Sequence, residues 1–421
     1  MRISSVTMFE QSTASMNRQQ SDFLKVNQQL ASGRKVVNPS DNPQAASRAV
    51  GVDQSMSMNE QYKNARVSAR NSIQQSESVL HSMTDAVSSA KSLLIQASSD
   101  ALTDSNRASI ASELKGVYET LIGQANAADG NGSYLFGGYK DNAPPFTRAA
   151  GGNVSYIGGD INREQQVDAS RRIPVGDNGK AVFQSVPSGA GYVATAIKED
   201  NSVNAGSVTF IGPQITNVND EGYGSDYRLS FGGTEEAPTY TVERFDKASG
   251  SWGGMPGQVE QPYAQDGSGK QQISFGGMNI SLEGKAQSGD QILVAKANSE
   301  QRGPDLFRTL ESAIRVLENP AENDVDKAQR RNTLNSSIRE LDNAFDNISS
   351  VRASAGARLN ELDVIDAVGV NRMMNYTQTL SDLVDLDYAE AISEYSLRQV
   401  GLQAAQKTFV DMKSMSLFNY M

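Results

Sequence analysis

From Phe9 the chain sets an apolar residue at every seventh position, Phe9, Met16, Phe23 and Leu30, until Gly33, Pro39 and Pro43 interrupt it. That spacing predicts an N-terminal helix with one narrow apolar seam, alternating with polar Thr13, Gln20 and Asn27. A second stretch runs Ile73, Ser76, Leu80, Met83, Val87, Ala90, Leu94, Ala97 and Ala101 in steps of three and four. Thr103 and Asp104 break it, with Asp104 placed to cap the helix that continues through Ile110, Leu114, Val117, Leu121 and Ala125.

After position 299 the helical pattern resumes. Asp305 opens a short segment with Phe307, Leu310, Ile314 and Leu317 on one side, closed by Asn319-Pro320. A long stripe follows through Leu334, Ile338, Leu341, Phe345 and Ile348 and continues past Leu359, Leu362 and Ile365. The last seam is the most regular: Val384, Tyr388, Ala391, Tyr395, Arg398, Leu402, Ala405, Phe409, Met412, broken only by Arg398.

The middle of the chain obeys a different period. Of 36 glycines, 28 fall between Gly130 and Gly289, and the apolar residues there alternate: Tyr227, Leu229 and Phe231; Met278, Ile280 and Leu282; Val208 and Phe210. Period two with glycine-rich turns predicts antiparallel strands. Phe-Gly-Gly recurs at Phe136, Phe231 and Phe275, read as turns at strand ends. The expected fold class is therefore α+β: an elongated multi-domain chain with long coiled-coil-like helices from both termini and an inserted antiparallel β-rich outer domain. Expected boundaries are 1–42 with 373–421 as a terminal helical domain, 43–139 with 297–372 as a helical bundle, and 140–296 as the β-rich part.

Composition narrows the chemistry. A net charge of -11 argues against a nucleic-acid partner, which needs clustered Lys and Arg. The absence of cysteine removes disulfides and thiolate metal sites. No apolar run approaches the roughly 18 residues of a membrane span, and the first residues lack the apolar core of a secretory signal, so membrane insertion is not expected.

Nothing assembles into a catalytic set. His81 is the only histidine and sits within a helical pattern, where it reads as a surface imidazole. Gly267-Ser268-Gly269-Lys270 imitates a phosphate loop, but Ala264 replaces the leading glycine and Gln271 the hydroxyl residue, so it reads as a hairpin turn. Asn217 to Gly222 imitates the start of a calcium loop, yet Arg228 stands where a bidentate Glu is required. Trp252, Tyr240 and Tyr263 are candidate stacking residues for a glycan, although aromatics more often serve a core. No catalytic residue, metal site or cofactor is expected, and the chain is read as a non-enzyme.

The interruption after Leu30 carries more information. LASGRKVVNPSDNP, Leu30 to Pro43, resembles the signature of the flagellin superfamily that joins an inner terminal helix to the next domain. The residues suit a turn: Gly33 for a left-handed helix end, Pro39 and Pro43 to prevent continuation, Ser40 or Asp41 to cap the next helix. DSNRASIASEL from Asp104, GSYLFGG from Gly132 with Pro144-Pro145-Phe146, GARLNEL from Gly356, and the ending Ser416-Leu417-Phe418-Asn419-Tyr420 resemble further blocks of that superfamily, in its hook–filament junction branch.

The resemblance implies a structural adapter joining hook to filament in the bacterial flagellum, exported by the flagellar type III system and polymerised through its terminal helices. The alternatives are a filament-forming flagellin and a flagellum-borne adhesin with a glycan-binding outer domain. Implied partners are further copies of itself, a neighbouring hook-associated protein on the hook side, flagellin on the filament side and a cytoplasmic export chaperone; the implied location is the extracellular flagellum. Assembly residues are expected along the two terminal seams, at the signature turn and in the C-terminal motif. With its polar interruptions the N-terminal seam gains little from an isolated pairing, so residues up to about 40 and beyond about 375 are expected to be largely mobile in the free monomer and to become helical on assembly.

Overall fold

The computed structural model describes residues 5–149, 153–198, 200 and 202–418, and the side chains of all of these except 5, 6 and 412–418. Three helices lead: α1 (Ser5–Ser32), α2 (Pro43–Ala97) and α3 (Asp104–Ala125). Strands β1 (Phe146–Arg148), β2 (Val154–Tyr156), β3 (Glu164–Asp168) and β4 (Arg171–Pro174) form two hairpins, followed by the short α4 (Gly179–Phe183). The sheet region comprises β5 (Tyr192–Thr195), β6 (Thr209–Ile215), β7 (Tyr227–Gly233), β8 (Pro238–Asp246), β9 (Ser251–Gly254), β10 (Gln261–Pro262), β11 (Lys270–Phe275), β12 (Met278–Glu283) and β13 (Gln291–Lys296). The chain closes with α5 (Leu306–Glu318), α6 (Asp324–Val384) and α7 (Tyr388–Phe418).

Packing divides the chain into two compact units. One holds residues 1–66, 167–169 and 363–421; the other holds 67–166 and 170–362. Helices α2 and α6 each pass from one unit to the other.

In the larger unit the long stripes meet in one core. Leu80, Met83, Val87, Ala90 and Leu94 of α2 pack with Ile110, Leu114 and Leu121 of α3, Phe307, Leu310, Ile314 and Leu317 of α5, and Leu334, Leu341 and Ile348 of α6. Phe146, Phe183 and Phe307 close the end of this core, with ring centroids 5.0 to 5.7 Å apart. Three readings of the pattern need correction. Ala101 is exposed, because α2 ends at Ala97. Phe345 is exposed while Ala344 and Asn347 take the inward positions; Asn347 donates to the carbonyls of Ala181 and Val182, so a polar side chain is placed where α4 must be held. The cap of α3 is Thr103, whose hydroxyl accepts from the Asn106 N–H at 3.3 Å, and Asp104 is the first helical residue.

The glycine-rich region of this unit is wholly antiparallel. Six strands form one sheet in the order β10-β8-β7-β13-β5, with β9 pairing on β8, and three form a second in the order β11-β12-β6. Leu229, Val242, Ile292 and Val294 from the first share a core with Phe210, Ile273, Ile280 and Leu282 from the second. Gly276 and Gly277 form the two-residue turn between Phe275 and Met278, both with positive φ, as a tight hairpin requires. Asn332 and Ser336 of α6 fasten the sheets to the helix, by bonds to Val208, Phe210 and Ala194 backbone groups.

Candidate assembly surface

The smaller unit contains both terminal helices, and α1 lies antiparallel along α7. Phe9 faces Phe409 with ring centroids 5.3 Å apart, Phe23 faces Tyr395 at 5.0 Å, and Asp22 pairs with Arg398 at 3.0 Å. Of the expected seam residues, Met16, Phe23 and Leu30 are half-buried in this pairing, as are Tyr395, Leu402, Ala405 and Phe409; Ala391 and Val384 are buried, whereas Phe9 and Tyr388 remain about half exposed. Val384 belongs to the end of α6, because the chain breaks at 385–387 and Asp387 caps α7 by accepting from the Ala389 and Glu390 N–H groups. Arg398 is part of the contact that the apolar pattern shows it interrupting. The side chains of Met412, Ser416, Leu417 and Phe418 and the whole of Asn419 and Tyr420 lie outside the described residues.

The interleaved positions of α1 differ from the expected ones. Thr13 is half-buried, as Ser12 is, but Gln20 and Asn27 are exposed, and the covered residues there are Gln19, which approaches Gly401 of α7, and Val26, which is buried. The signal was present: Val26 stands three residues after Phe23 and four before Leu30, the alternation a continuous seam requires.

The turn between α1 and α2 is built from the signature residues. Gly33 has φ +69°, and a Cβ there would stand 2.9 Å from the Tyr388 Oη, so glycine serves both the helix end and the approach of the tyrosine. Beyond it the Lys35 N–H donates to the Val384 carbonyl at 2.7 Å and the Leu386 N–H to the Gly33 carbonyl at 3.1 Å. Pro39 and Ser40 occupy the corner of a β-turn closed by the Asp41 N–H on the Asn38 carbonyl. Neither Ser40 nor Asp41 caps α2. Asn42 does, accepting from the Ala45 N–H at 3.0 Å, with Pro43 at the first helical position, where its missing N–H is no loss. Asp41 instead accepts from the Asn38 N–H and pairs with Lys25 at 3.1 Å; the backbone donor, then the ammonium, hold its carboxyl below the usual range.

Between these helices and residues 167–169 lies a polar cluster absent from the sequence reading. The Arg66 side chain is almost wholly buried, donates from Nε to the Asp366 carboxylate and from Nη1 to the Val167 carbonyl at 3.1 Å. Asn59 donates to the Gly369 carbonyl at 2.9 Å, and a Cβ at Gly369 would come within 2.6 Å of Arg66 Nη2. Arg372 pairs with Asp168 at 2.8 Å and is the main cause of its lowered pKa.

Several large apolar side chains of the same unit stay in water. Leu24, Ile392, Leu397, Val400 and Val410 are all more than half exposed, Leu397 by 72%. Paired helices that keep this many large apolar side chains in water present a surface for a further partner.

The remaining candidates do not converge. His81 is exposed on α2, and Asp266 organises Gly267 to Lys270 as a turn by accepting from the Ser268 and Lys270 N–H groups. In the calcium-like stretch the Asp220 carboxylate accepts from the Gly222 N–H. Tyr240 and Tyr263 are buried in the sheet core, and Trp252 is covered by Phe245 at 5.1 Å and by the Arg228 guanidinium at 4.7 Å, so these aromatics offer no open stacking platform. Among the described residues no group of three His, Cys, Asp or Glu side chains could hold a metal ion, and no helix is long and apolar enough to cross a membrane.

Comparison with known proteins agrees with the arrangement. Residues 3–141 match the bacterial flagellin N-terminal helical region. The chain is 31% identical over 419 residues to flagellar hook-associated protein 3 of Escherichia coli (strain K12) and to the same protein of Salmonella typhimurium, covering 99% of each chain in both cases. Its fold is similar to that of hook-associated protein 3 from Legionella pneumophila (TM-score 0.64, 24% identity, 79% of this chain and 98% of that one). It is also similar to FlgL from Xanthomonas campestris (TM-score 0.61, 23% identity, 78% and 99%). Identity at this level over essentially the full length of both curated relatives places the chain: it belongs to the flagellar hook-associated protein 3 family.

Proposed function

We propose that this chain is a structural adapter that joins hook to filament at the extracellular bacterial flagellum and has no catalytic role. Its full-length likeness to hook-associated protein 3 supports a structural role in the flagellum. The observation that carries the finer reading is the set of large apolar side chains that α1 and α7 leave exposed outside the seam they share. In this reading those side chains pack against a further copy of the chain, against a hook-associated protein on the hook side and against flagellin on the filament side. Residues 1–42 with 373–421 form the assembly segment, 43–139 with 297–372 the bundle that carries it, and 140–296 the outer part. Export through the type III apparatus, with a chaperone covering the C-terminal helix, belongs to the same proposal.

The test uses a source strain deleted for this chain. Expression of the parent sequence should restore swimming, and Leu397→Asp combined with Val400→Asp should abolish it while the purified variant keeps the parent's circular dichroism spectrum. Swimming of the charged variant at the parental level would overturn the proposal. Long fibres formed by the purified parent alone would favour a filament-forming flagellin instead.

A further inference from the structure

Asn-Gly occurs twice in the chain, at Asn131-Gly132 and Asn178-Gly179. In this dipeptide the glycine peptide nitrogen can attack the asparagine carboxamide, because no Cβ stands beside the nitrogen and glycine allows the backbone conformations that ring closure requires. The fold gives the two copies opposite surroundings. Asn178 is fastened: it is buried, its Nδ2 donates to the Asp160 carbonyl at 3.1 Å and to Asn162 Oδ1 at 2.9 Å, and its Oδ1 caps α4 by accepting from the Ala181 N–H at 2.8 Å. Gly179 beside it donates to the Phe136 carbonyl at 2.8 Å, and a Cβ there would stand 2.6 Å from the Phe146 ring. Neither the carboxamide nor the nitrogen can swing without parting this packing.

Asn131 stands at the tip of a small hairpin held by the Leu135 N–H on the Ala127 carbonyl at 2.9 Å and the Asp129 N–H on the Ser133 carbonyl at 2.8 Å. Asn131 and Gly132 are exposed, and the place of a Cβ on Gly132 is open space. Among the described residues no hydrogen bond holds the Asn131 side chain; only its backbone N–H is engaged, on the Asp129 carboxylate, which also accepts from the Ser133 N–H. The Gly132 N–H is held by the Asp129 carbonyl at 3.0 Å, within the same tip. Such a turn opens by itself, without disturbing Leu135 and Phe136 in the core below it.

We infer that this hairpin tip is a site of spontaneous deamidation at Asn131, and that the fold withholds the same reaction from Asn178. The Gly132 nitrogen gives its proton to hydroxide and bonds to Asn131 Cγ; the Cγ–Nδ2 bond breaks and ammonia leaves, closing a succinimide. Water then opens the ring at either carbonyl, which yields aspartate or isoaspartate, with no oxidation or reduction. The product carries one more negative charge than the parent. Isoaspartate also adds a methylene to the main chain between the two N–H groups that the Asp129 carboxylate gathers, so the tip loses its present register.

Prolonged incubation of the full chain in mildly alkaline buffer, with peptide mapping by mass spectrometry and labelling by a purified isoaspartyl methyltransferase, tests this. In the folded chain Asn131 should convert about a hundredfold faster than Asn178, the factor by which three retained hydrogen bonds of ordinary strength suppress release of the latter's side chain. In denaturant the two should convert at similar rates. Asn131→Ser, an exposed position, should remove the acidic shift that the folded parent acquires on isoelectric focusing. An intact Asn131 amide in the folded chain after the denatured chain has converted, or equal rates at the two positions in the folded chain, would overturn the inference; aspartate at 131 without isoaspartate would overturn the succinimide step.

Discussion

Replacing Arg66 by Met keeps a long apolar stem in the space of the arginine and removes only its polar end. Two bonds disappear, with unequal consequences. The Val167 carbonyl belongs to a residue with no exposed surface, so losing its donor there costs about 1–2 kcal/mol. The Asp366 side chain is 32% exposed and can rehydrate, so the broken ion pair adds only about 0–1 kcal/mol. The sum is about 2 kcal/mol, confined to residues 167–169 and the helix faces that hold them. Such a loss speeds local opening about thirtyfold, since each 1.4 kcal/mol is about a factor of ten. Hydrogen exchange read by mass spectrometry on peptides covering 164–174 measures it directly. Asp366→Asn, which keeps an acceptor for Nε, should shift exchange by less than about tenfold. Unchanged exchange in Arg66→Met, or a larger effect from Asp366→Asn than from Arg66→Met, would refute the assignment of most of the energy to the buried carbonyl.

Two further outcomes follow from the same unit. Asn42→Ala should lower stability by about 1 kcal/mol through loss of the α2 cap, while Ser40→Ala at an exposed turn position should stay within about 0.5 kcal/mol; thermal unfolding of both variants distinguishes the caps. Asp168 has its pKa depressed chiefly by Arg372, so its contribution is present above the unfolded carboxylate pKa of about 3.9 and is lost as pH falls through the lower folded value. Arg372→Gln should therefore cost stability near pH 6 and less near pH 3, and an identical cost at both acidities would exclude the ion pair as the cause.

Much of the helical architecture was legible because long apolar stripes leave little choice: Leu80 to Leu94 on α2 and Leu310 to Leu317 on α5 are inward as spaced. Strand positions such as Leu229 and Ile280 followed from period two. What escaped was set by groups whose role depends on a distant partner. Nothing near Phe345 signals that Asn347 will turn inward, since its acceptors are carbonyls of α4, about 165 residues earlier. Arg66 looks like any helix-surface arginine until Val167 and Asp366 arrive. The caps failed for a local reason: Ser, Asp and Asn stand side by side at positions 40–42, all competent, and only Pro43 at the first helical position decides for Asn42. Within the candidate surface, Ala391, Tyr395, Leu402, Ala405 and Phe409 of α7 are covered as spaced while Tyr388 stays about half exposed, and on α1 Gln20 and Asn27 lie one place beyond the covered Gln19 and Val26.

The mixed character of the α1–α7 contact has a physical consequence for how such a chain can work. Among the described residues, Val26 and Ala391 are its buried apolar side chains, together with Val384 where α6 ends, and the other seam residues are only partly covered. At roughly 25 cal/mol per Å² of apolar surface removed from water, half-buried residues contribute only a fraction of the entropy cost of ordering two helices of 28 and 31 residues. A pairing so close to balance gains disproportionately when a neighbour covers Leu397, Val400 and Val410, because the neighbour supplies new burial to helices whose ordering the first contact has already partly offset. If assembly proceeds this way, strengthening the internal pair is the informative perturbation. An engineered seam that buries more apolar surface between α1 and α7 should hold the monomer helical and leave Leu397, Val400 and Val410 available, whereas polar substitutions at those three positions should block joining without unfolding anything.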